Sequence, residues 1–155
     1  MAKKIGIISD THGVLRDDVM EILKDCDIII HAGDFDRGEI LDRLRYMGNV
    51  YAVRGNNDGE WANGLKKSLR FSIDGANFFM THNRKDVSWE LGDTDIVIFG
   101  HTHRYFEEKI DGRLWLNPGS CGRPRFGGEL SMVVMNISDG EYSLNKIMLF
   151  DEKGE

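Results

Sequence analysis

Residues 5–12 read IGIISDTH, an apolar run that ends in serine, aspartate, threonine and histidine. A short apolar run of this kind is typical of a buried strand. Residues 28–30 (III) and 50–53 (VYAV) repeat the pattern, and apolar residues at helical spacing occupy 15–26 and 40–47. Alternating strands and helices are typical of a parallel sheet with right-handed crossovers. The first half of the chain therefore predicts a βαβαβ unit.

The second half of the chain has paired strands. Three Asp-Gly hairpin signals, each between stretches with strand character, begin at positions 74, 111 and 139. A further apolar strand is expected at 96–99, and a short helix around 87–91. This is too much strand for one small sheet. The sequence thus predicts an α/β fold with two packed sheets, in a single domain spanning 1–155.

Composition narrows the class of protein. A net charge of −6 disfavours a broad grip on a phosphate backbone, so nucleic acid is not an expected partner. No apolar run approaches the ~20 residues that a membrane span needs, so no membrane partner is expected. Two cysteines, Cys26 and Cys121, provide no disulfide framework, which fits a reducing cytoplasm.

Polar residues of a few types follow five of the predicted strands. In open α/β sheets, ligands bind outside the carboxyl ends of the strands. We therefore expect these residues to converge on one edge of the fold. They are Asp10 and His12 after the first strand, His31 and Asp34 after the second, Asn56 and Asn57 after the third, His82 after residues 76–80, and His101 and His103 after residues 96–99.

These residue types together indicate a divalent metal site. Asp, His and Asn suit an ion of intermediate softness such as Mn²⁺, Fe²⁺ or Zn²⁺. In Asp10-x-His12 and His101-x-His103, an extended backbone would point residues i and i+2 the same way. Each residue also has a simpler interpretation, because Asp34 alone would be a helix cap and Asn56 alone a turn residue. Seven ligands are too many for one ion and about right for two.

The ordered elements Asp10-x-His12, Gly33-Asp34, Gly55-Asn56, His82 and 100–103 (GHTH) resemble the calcineurin-like metallophosphoesterases. The resemblance covers essentially the whole chain. Residues 117–120 (NPGS) followed by 124–125 (PR) are similar to the small prokaryotic YfcE-type phosphodiesterase branch. The resemblance implies two mixed β-sheets packed face to face and flanked by helices, the αββα sandwich.

The resemblance also implies a role for each residue. Asp10, His12 and His103 should hold one metal, and Asn56, His82 and His101 the other, with Asp34 bridging both. A hydroxide between the two ions would attack the phosphate ester. Mn²⁺ is the expected ion, with Fe²⁺, Zn²⁺, Ni²⁺ or Mg²⁺ as alternatives. The expected partners are a small phosphate-ester substrate and, within this branch, a second copy of the chain.

Two positions depart from the family pattern. Asn57 stands where many members have a histidine that assists the leaving group, so it can contact phosphate but cannot deliver a proton. Asn83 stands where a small glycine is expected. His31, Asp36 and Asp58 are expected to support the site through hydrogen bonds or to brace loops.

Three other functions are left open by the sequence. A non-catalytic interaction scaffold of the same fold, like the retromer subunit, is one, but such a scaffold has lost part of the metal set whereas all seven positions are present here. A phosphomonoesterase and a nuclease are the others. The nuclease is disfavoured by net acidity and by the absence of a capping domain to grip DNA.

Overall fold

A computed structural model describes residues 2–123 and 128–149, which include ten strands and two α-helices. The first five-stranded sheet contains β1 (Lys3–Ile8), β2 (Ile28–His31), β3 (Asn49–Ala52), β9 (Leu130–Ser138) and β10 (Glu141–Leu149). The second contains β4 (Ser68–Ile73), β5 (Ala76–Thr81), β6 (Ile96–Ile98), β7 (Phe106–Ile110) and β8 (Arg113–Asn117). The helices are α1 (Asp17–Leu23) and α2 (Gly38–Met47).

Both sheets are mixed, as expected. The first has the order β10-β9-β1-β2-β3, in which β1, β2 and β3 are parallel and the β9–β10 hairpin lies antiparallel beside β1. The second has the order β4-β5-β6-β8-β7, with β5, β6 and β8 parallel at its centre. The carboxyl ends of these six parallel strands therefore face one edge of the fold.

The main core lies between the two sheets. Ile7 and Ile30 of the first sheet and Phe78, Met80 and Ile98 of the second all belong to one buried cluster. A second cluster buries the apolar faces of α1 and α2 against the other side of the first sheet. Neither helix is long and apolar enough, within the described residues, to cross a membrane.

The outer face of the second sheet is covered differently. Phe79, Val97 and Phe99 pack there against residues of the segment after β5, including Leu91. The helix expected around 87–91 is wrong, because the only helical turn in this segment is a 3₁₀ turn at Arg84–Asp86. Val87 has extended backbone angles (φ −68°, ψ 130°), which end the turn.

Candidate metal centre

All seven predicted ligands lie at the edge where the parallel strands end. Asp10 and His12 follow β1, and Asp34 follows β2. Asn56 follows β3, His82 follows β5, and His101 and His103 follow β6.

The side chains form two adjoining groups, Asp10 with His12 and His103, and Asp34 with His82 and His101. Within each group, ligand atoms lie within 4.8 Å of one another. The Oδ1 atom of Asp10 is 3.6 Å from Nε2 of His12 and 3.4 Å from Nε2 of His103. Ligands about 2.1 Å from a shared ion, at angles of roughly 90–110°, would be separated by about 3.0–3.4 Å. The observed spacing is close to this.

Asp34 lies between the two groups. Its Oδ2 atom is 3.1 Å from Nε2 of His82 and 3.8 Å from Nε2 of His12. The Oδ1 atom of Asn56 is 3.2 Å from Nδ1 of His101, which brings the amide to the second group. Asp34 therefore faces ligands of both groups, and so does Asp10, whose Oδ1 atom is also 3.7 Å from Nε2 of His82.

Two buried ligand atoms have no hydrogen bond of acceptable geometry. They are Oδ1 of Asp10, whose residue is fully buried, and Nε2 of His82, which is 5% exposed. Nδ1 of His82 lies 2.8 Å from the carbonyl oxygen of Ala32 and donates its proton there, so Nε2 carries a free lone pair. Buried polar atoms in native proteins almost always have partners. This donor set fits divalent cations.

Most of the seven candidate ligands have left-handed backbone angles. Asp10, His12, Asp34, His101 and His103 all have φ between 46° and 76°. The expectation that Asp10-x-His12 and His101-x-His103 are extended is therefore wrong. Asp10 and His12 lie in the same ligand group, whereas His101 and His103 lie in different groups. All four are left-handed, a conformation that Asp and His adopt more readily than most residues. Such residues store roughly 1–3 kcal/mol each and cluster at functional sites.

Backbone hydrogen bonds to the loop after β2 hold the loop after β1 in this conformation. The N–H groups of Asp10, His12 and Gly13 donate to the carbonyls of Gly33, Asp34 and Phe35, at 3.0, 3.1 and 2.7 Å. These three hydrogen bonds join the two loops beyond the ends of their strands.

A buried histidine supports the same loops, as expected. Nδ1 of His31 accepts a hydrogen bond from the N–H of Gly33 at 3.0 Å, so Nε2 carries the proton and donates to Oγ1 of Thr11 at 3.0 Å. Burial lowers the pKa of His31 to about 3, which keeps the ring neutral. His31 therefore braces the loops and is not in either ligand group.

The segment at 117–120 also contacts the site. The hydroxyl of Ser120 donates to the carbonyl of Asp10 at 2.9 Å, and the amide of Asn117 donates to the carbonyl of Gly100 at 3.1 Å. The sequence indicated this segment only through its resemblance to one branch. Pro124 and Arg125, which completed that resemblance, lie outside the described residues.

Carboxylates and imidazoles perturb one another's protonation. Burial alone would raise the pKa of Asp10, but contacts with His103 and His12 hold that pKa well below its usual range. The Asp10 and Asp36 carboxylates raise the pKa of His12. Burial opposes protonation of His82, yet Asp34 and Asp10 raise its pKa. Without metal, the carboxylates thus favour the protonated forms of His12 and His82.

Asp36 orients one of the candidate ligands. Its carboxylate oxygens lie 3.1 and 3.2 Å from Nδ1 of His12, leaving Nε2 of that ring for the centre. Outer partners of this kind typically contribute 10–100-fold to metal affinity. We expect Asp36→Ala to weaken Mn²⁺ binding by roughly that factor in a calorimetric titration. Asp42→Ala, on the exposed side of α2, should bind as the wild type does; equal affinity in both variants would contradict this role.

Asn57 and Asn83, the two residues that depart from the family pattern, have different positions and contacts. Asn57 is exposed, and its backbone N–H donates to Oδ1 of Asp34 at 2.8 Å. Asn83 has φ −107°, a conformation that needs no glycine, and its side chain accepts a hydrogen bond from the N–H of Lys85. Asn83 thus caps the 3₁₀ turn beside the site.

Two open clefts meet at His101. One, of about 520 Å³, includes Arg104, Tyr105 and Lys146. The other, of about 590 Å³, includes Arg54, Lys67 and Asn83. The candidate centre is therefore open to solvent on two sides, with cationic side chains in both clefts.

Comparison with known families agrees with the fold. The model of the calcineurin-like phosphoesterase superfamily domain matches residues 4–140. The chain belongs to this superfamily.

Known proteins resemble the chain over most of its length. A phosphodiesterase of Methanocaldococcus jannaschii is 34% identical over 139 residues, covering 76% of this chain and 84% of that protein. The solved structure of an archaeal phosphodiesterase has a TM-score of 0.77 and 31% identity, covering 94% of this chain and 99% of that one. Vps29 of Entamoeba histolytica, solved with Zn²⁺, has a TM-score of 0.66 and 21% identity over 94% of this chain and 98% of its own, which shows the shared fold alone.

Proposed function

We propose that the protein is a phosphodiesterase that hydrolyses small phosphate esters with two divalent metal ions. The observation that carries the proposal is the convergence of seven Asp, His and Asn side chains on one edge, with Asp34 facing both groups. When bound, two such ions supply an activated water nucleophile and neutralise charge on the phosphoryl group.

Each group of side chains would hold one ion. Asp10, His12 and His103 form the first set, and Asn56, His82 and His101 the second. Asp34 would bridge them, because its two oxygens and its position between His12 and His82 suit a shared ligand. Mn²⁺ is the proposed ion, because the mixture of carboxylate, amide and imidazole ligands suits an ion of intermediate softness. Fe²⁺, Zn²⁺, Ni²⁺ and Mg²⁺ are the alternatives.

Asn57 is proposed to contact the phosphoryl group. It lines a cleft with His12 and His103, so its amide can donate a hydrogen bond to a phosphate oxygen. It cannot release a proton, and general acid catalysis typically contributes 10²–10⁴-fold. The enzyme should therefore prefer substrates whose leaving groups need no protonation.

Two features favour a diester over a monoester. The clefts on either side of His101 provide space for two ester substituents on one phosphorus. Two of the relatives with more than 30% identity are named phosphodiesterases, the Methanocaldococcus jannaschii protein and the archaeal protein of solved structure. Cationic side chains line both clefts, Arg54 and Lys67 in one and Arg104 and Lys146 in the other, beside acidic residues that include Glu129, 3.6 Å from Lys146.

The test compares an activated diester with the matching monoester. We expect Mn²⁺-dependent turnover of bis-p-nitrophenyl phosphate, with a higher kcat/KM than for p-nitrophenyl phosphate and no turnover in EDTA. A higher kcat/KM for the monoester would favour a phosphomonoesterase. No turnover with any of the five candidate ions would favour the scaffold, and oligonucleotide cleavage that falls steeply with salt would favour a nuclease.

A cytoplasmic location is part of the proposal. Cys26 and Cys121 are both free thiols, and Cys121 is buried. Free thiols are the usual state in a reducing compartment.

A further inference from the structure

Asp58 is a buried carboxylate that belongs to neither ligand group. It is 4% exposed, and each of its oxygens accepts two backbone hydrogen bonds. Oδ1 accepts from the N–H groups of Phe35 and Asp36 at 2.8 and 2.9 Å. Oδ2 accepts from those of Asp34 and Gly55 at 3.0 and 2.8 Å. One side chain thus fixes four peptide groups.

Those four peptide groups come from two loops that carry different ligands. The loop after β2 carries Asp34 and also Asp36, which orients His12. The loop after β3 carries Asn56, directly after Gly55. The two loops are in close contact, since a Cβ atom on Gly55 would overlap the Asp34 carboxylate. Asp58 therefore joins parts of both candidate metal positions.

The backbone near Asp58 needs this anion. Asp34 and Asp36 have φ of 65° and 69°, and strained left-handed residues of this kind cost roughly 1–3 kcal/mol each. The three successive N–H groups of residues 34–36 point towards one carboxylate, an arrangement that forms an anion-binding concavity. The negative charge of Asp58 stabilises a loop conformation that would otherwise be unfavourable.

We infer that Asp58 is a positioning residue that sets the spacing between the two metal ions without touching either. It does so by fixing Asp34, the proposed bridge, relative to Asn56 and to the Asp36–His12 pair. Loss of its charge should change both the affinity for metal and the separation of the two ions, although all seven ligands are still present. The inference rests on the proposed function only in requiring that metal binds at those seven residues.

The test is Asp58→Asn, which keeps the shape of the side chain and replaces one acceptor oxygen by an NH₂ group. Either amide orientation places that NH₂ group against two N–H donors. We expect Mn²⁺ affinity to fall by roughly 10–100-fold, the usual effect of losing an outer partner of a metal site. At saturating Mn²⁺, the electron paramagnetic resonance spectrum should show altered coupling between the ions, which a purely structural role would not change.

Asp95→Asn is the matched control. Asp95 also accepts a backbone hydrogen bond, from the N–H of Asn77 at 2.8 Å, but in the second sheet. Its substitution should leave Mn²⁺ affinity and the coupling unchanged. Should Asp58→Asn fail to fold, Asp58→Glu keeps the charge and displaces it by one methylene, with the same expected direction.

The outcomes separate this inference from the proposed function. Failure of the wild type to bind Mn²⁺ would overturn both. Wild-type binding of two ions, together with the same affinity and the same coupling in a folded Asp58 variant, would overturn the inference alone.

Discussion

Asp34→Asn should reduce turnover of bis-p-nitrophenyl phosphate by more than roughly 100-fold. Loss of a residue that only hydrogen-bonds to a metal ligand typically lowers activity by up to about 100-fold, and Asp34 is itself a proposed ligand. Asp34 is 2% exposed, and its Oδ2 atom lies 3.1 Å from Nε2 of His82 and 3.8 Å from Nε2 of His12, so it faces ligands of both groups. Asparagine has nearly the same shape but no charge, and one of its two polar atoms cannot bind a cation.

The measurement is kcat/KM at a fixed Mn²⁺ concentration, beside the number of Mn²⁺ ions bound per chain. Asp42→Asn makes the same change in charge on an exposed surface of α2 and should behave as the wild type does. Undiminished turnover by Asp34→Asn with two ions bound would show that this carboxylate is not the bridge.

Mn²⁺ should raise the melting temperature strongly at pH 8 and weakly at pH 5. A ligand at about 1,000 times its Kd stabilises the folded state by about 4 kcal/mol. For a chain of this size, 1 kcal/mol corresponds to roughly 2–4 °C, so a rise of roughly 8–16 °C is expected at pH 8. At pH 5, protons compete with the metal for His12 and His82, whose pKa values are raised above 6.5 in the metal-free protein.

Without metal, His12 and His82 should contribute to stability with the opposite dependence on pH. Raised pKa values of His12 and His82 contribute stability below 6.5 that is lost as pH rises through the folded-state pKa values. Lowered pKa values of Asp10 and Asp34 contribute stability above 3.8 that is lost as pH falls through the folded-state values. In EDTA, the contribution of these four groups should therefore be greatest between these limits and decline towards pH 8. His31, whose pKa is lowered to about 3, acts oppositely, because its stabilising contribution is lost as pH falls from 6.5 towards 3.

Melting curves at both pH values, with EDTA or with Mn²⁺, test this prediction. Asp34→Asn is the control, because its Mn²⁺-induced rise at pH 8 should be much smaller. Equal melting temperatures with and without metal at pH 8 would contradict the proposal that these residues bind Mn²⁺.

The sequence predicted the fold well because apolar runs, and the turn residues that end them, are local signals. Residues 5–9, 28–30 and 96–99 each became a buried strand, and the Asp-Gly pairs became hairpin turns. The same logic predicted which residues would meet, since the carboxyl ends of parallel strands share an edge. The assignment of each residue to a metal is still a prediction.

The details of the site depended on contacts between distant residues. The left-handed backbone of Asp10 and His12 follows from hydrogen bonds to the loop after β2, which no spacing within residues 10–12 encodes. The hydrogen bond between Asp36 and His12 joins residues that are 24 positions apart in the sequence. The hydrogen bond from the N–H of Asp34 to Asp58 joins residues with the same separation. The sequence suggested that Asp36 and Asp58 brace loops, but it did not indicate which loops they contact.

The most direct test of the account is a crystal structure of the protein grown with Mn²⁺, with anomalous data collected to locate the ions. We predict two manganese peaks per chain, roughly 3.5–4 Å apart, with Asp34 bound to both. Asp10, His12 and His103 should surround one peak, and Asn56, His82 and His101 the other. A single peak, no peak, or ions held by other side chains would contradict the two-metal site.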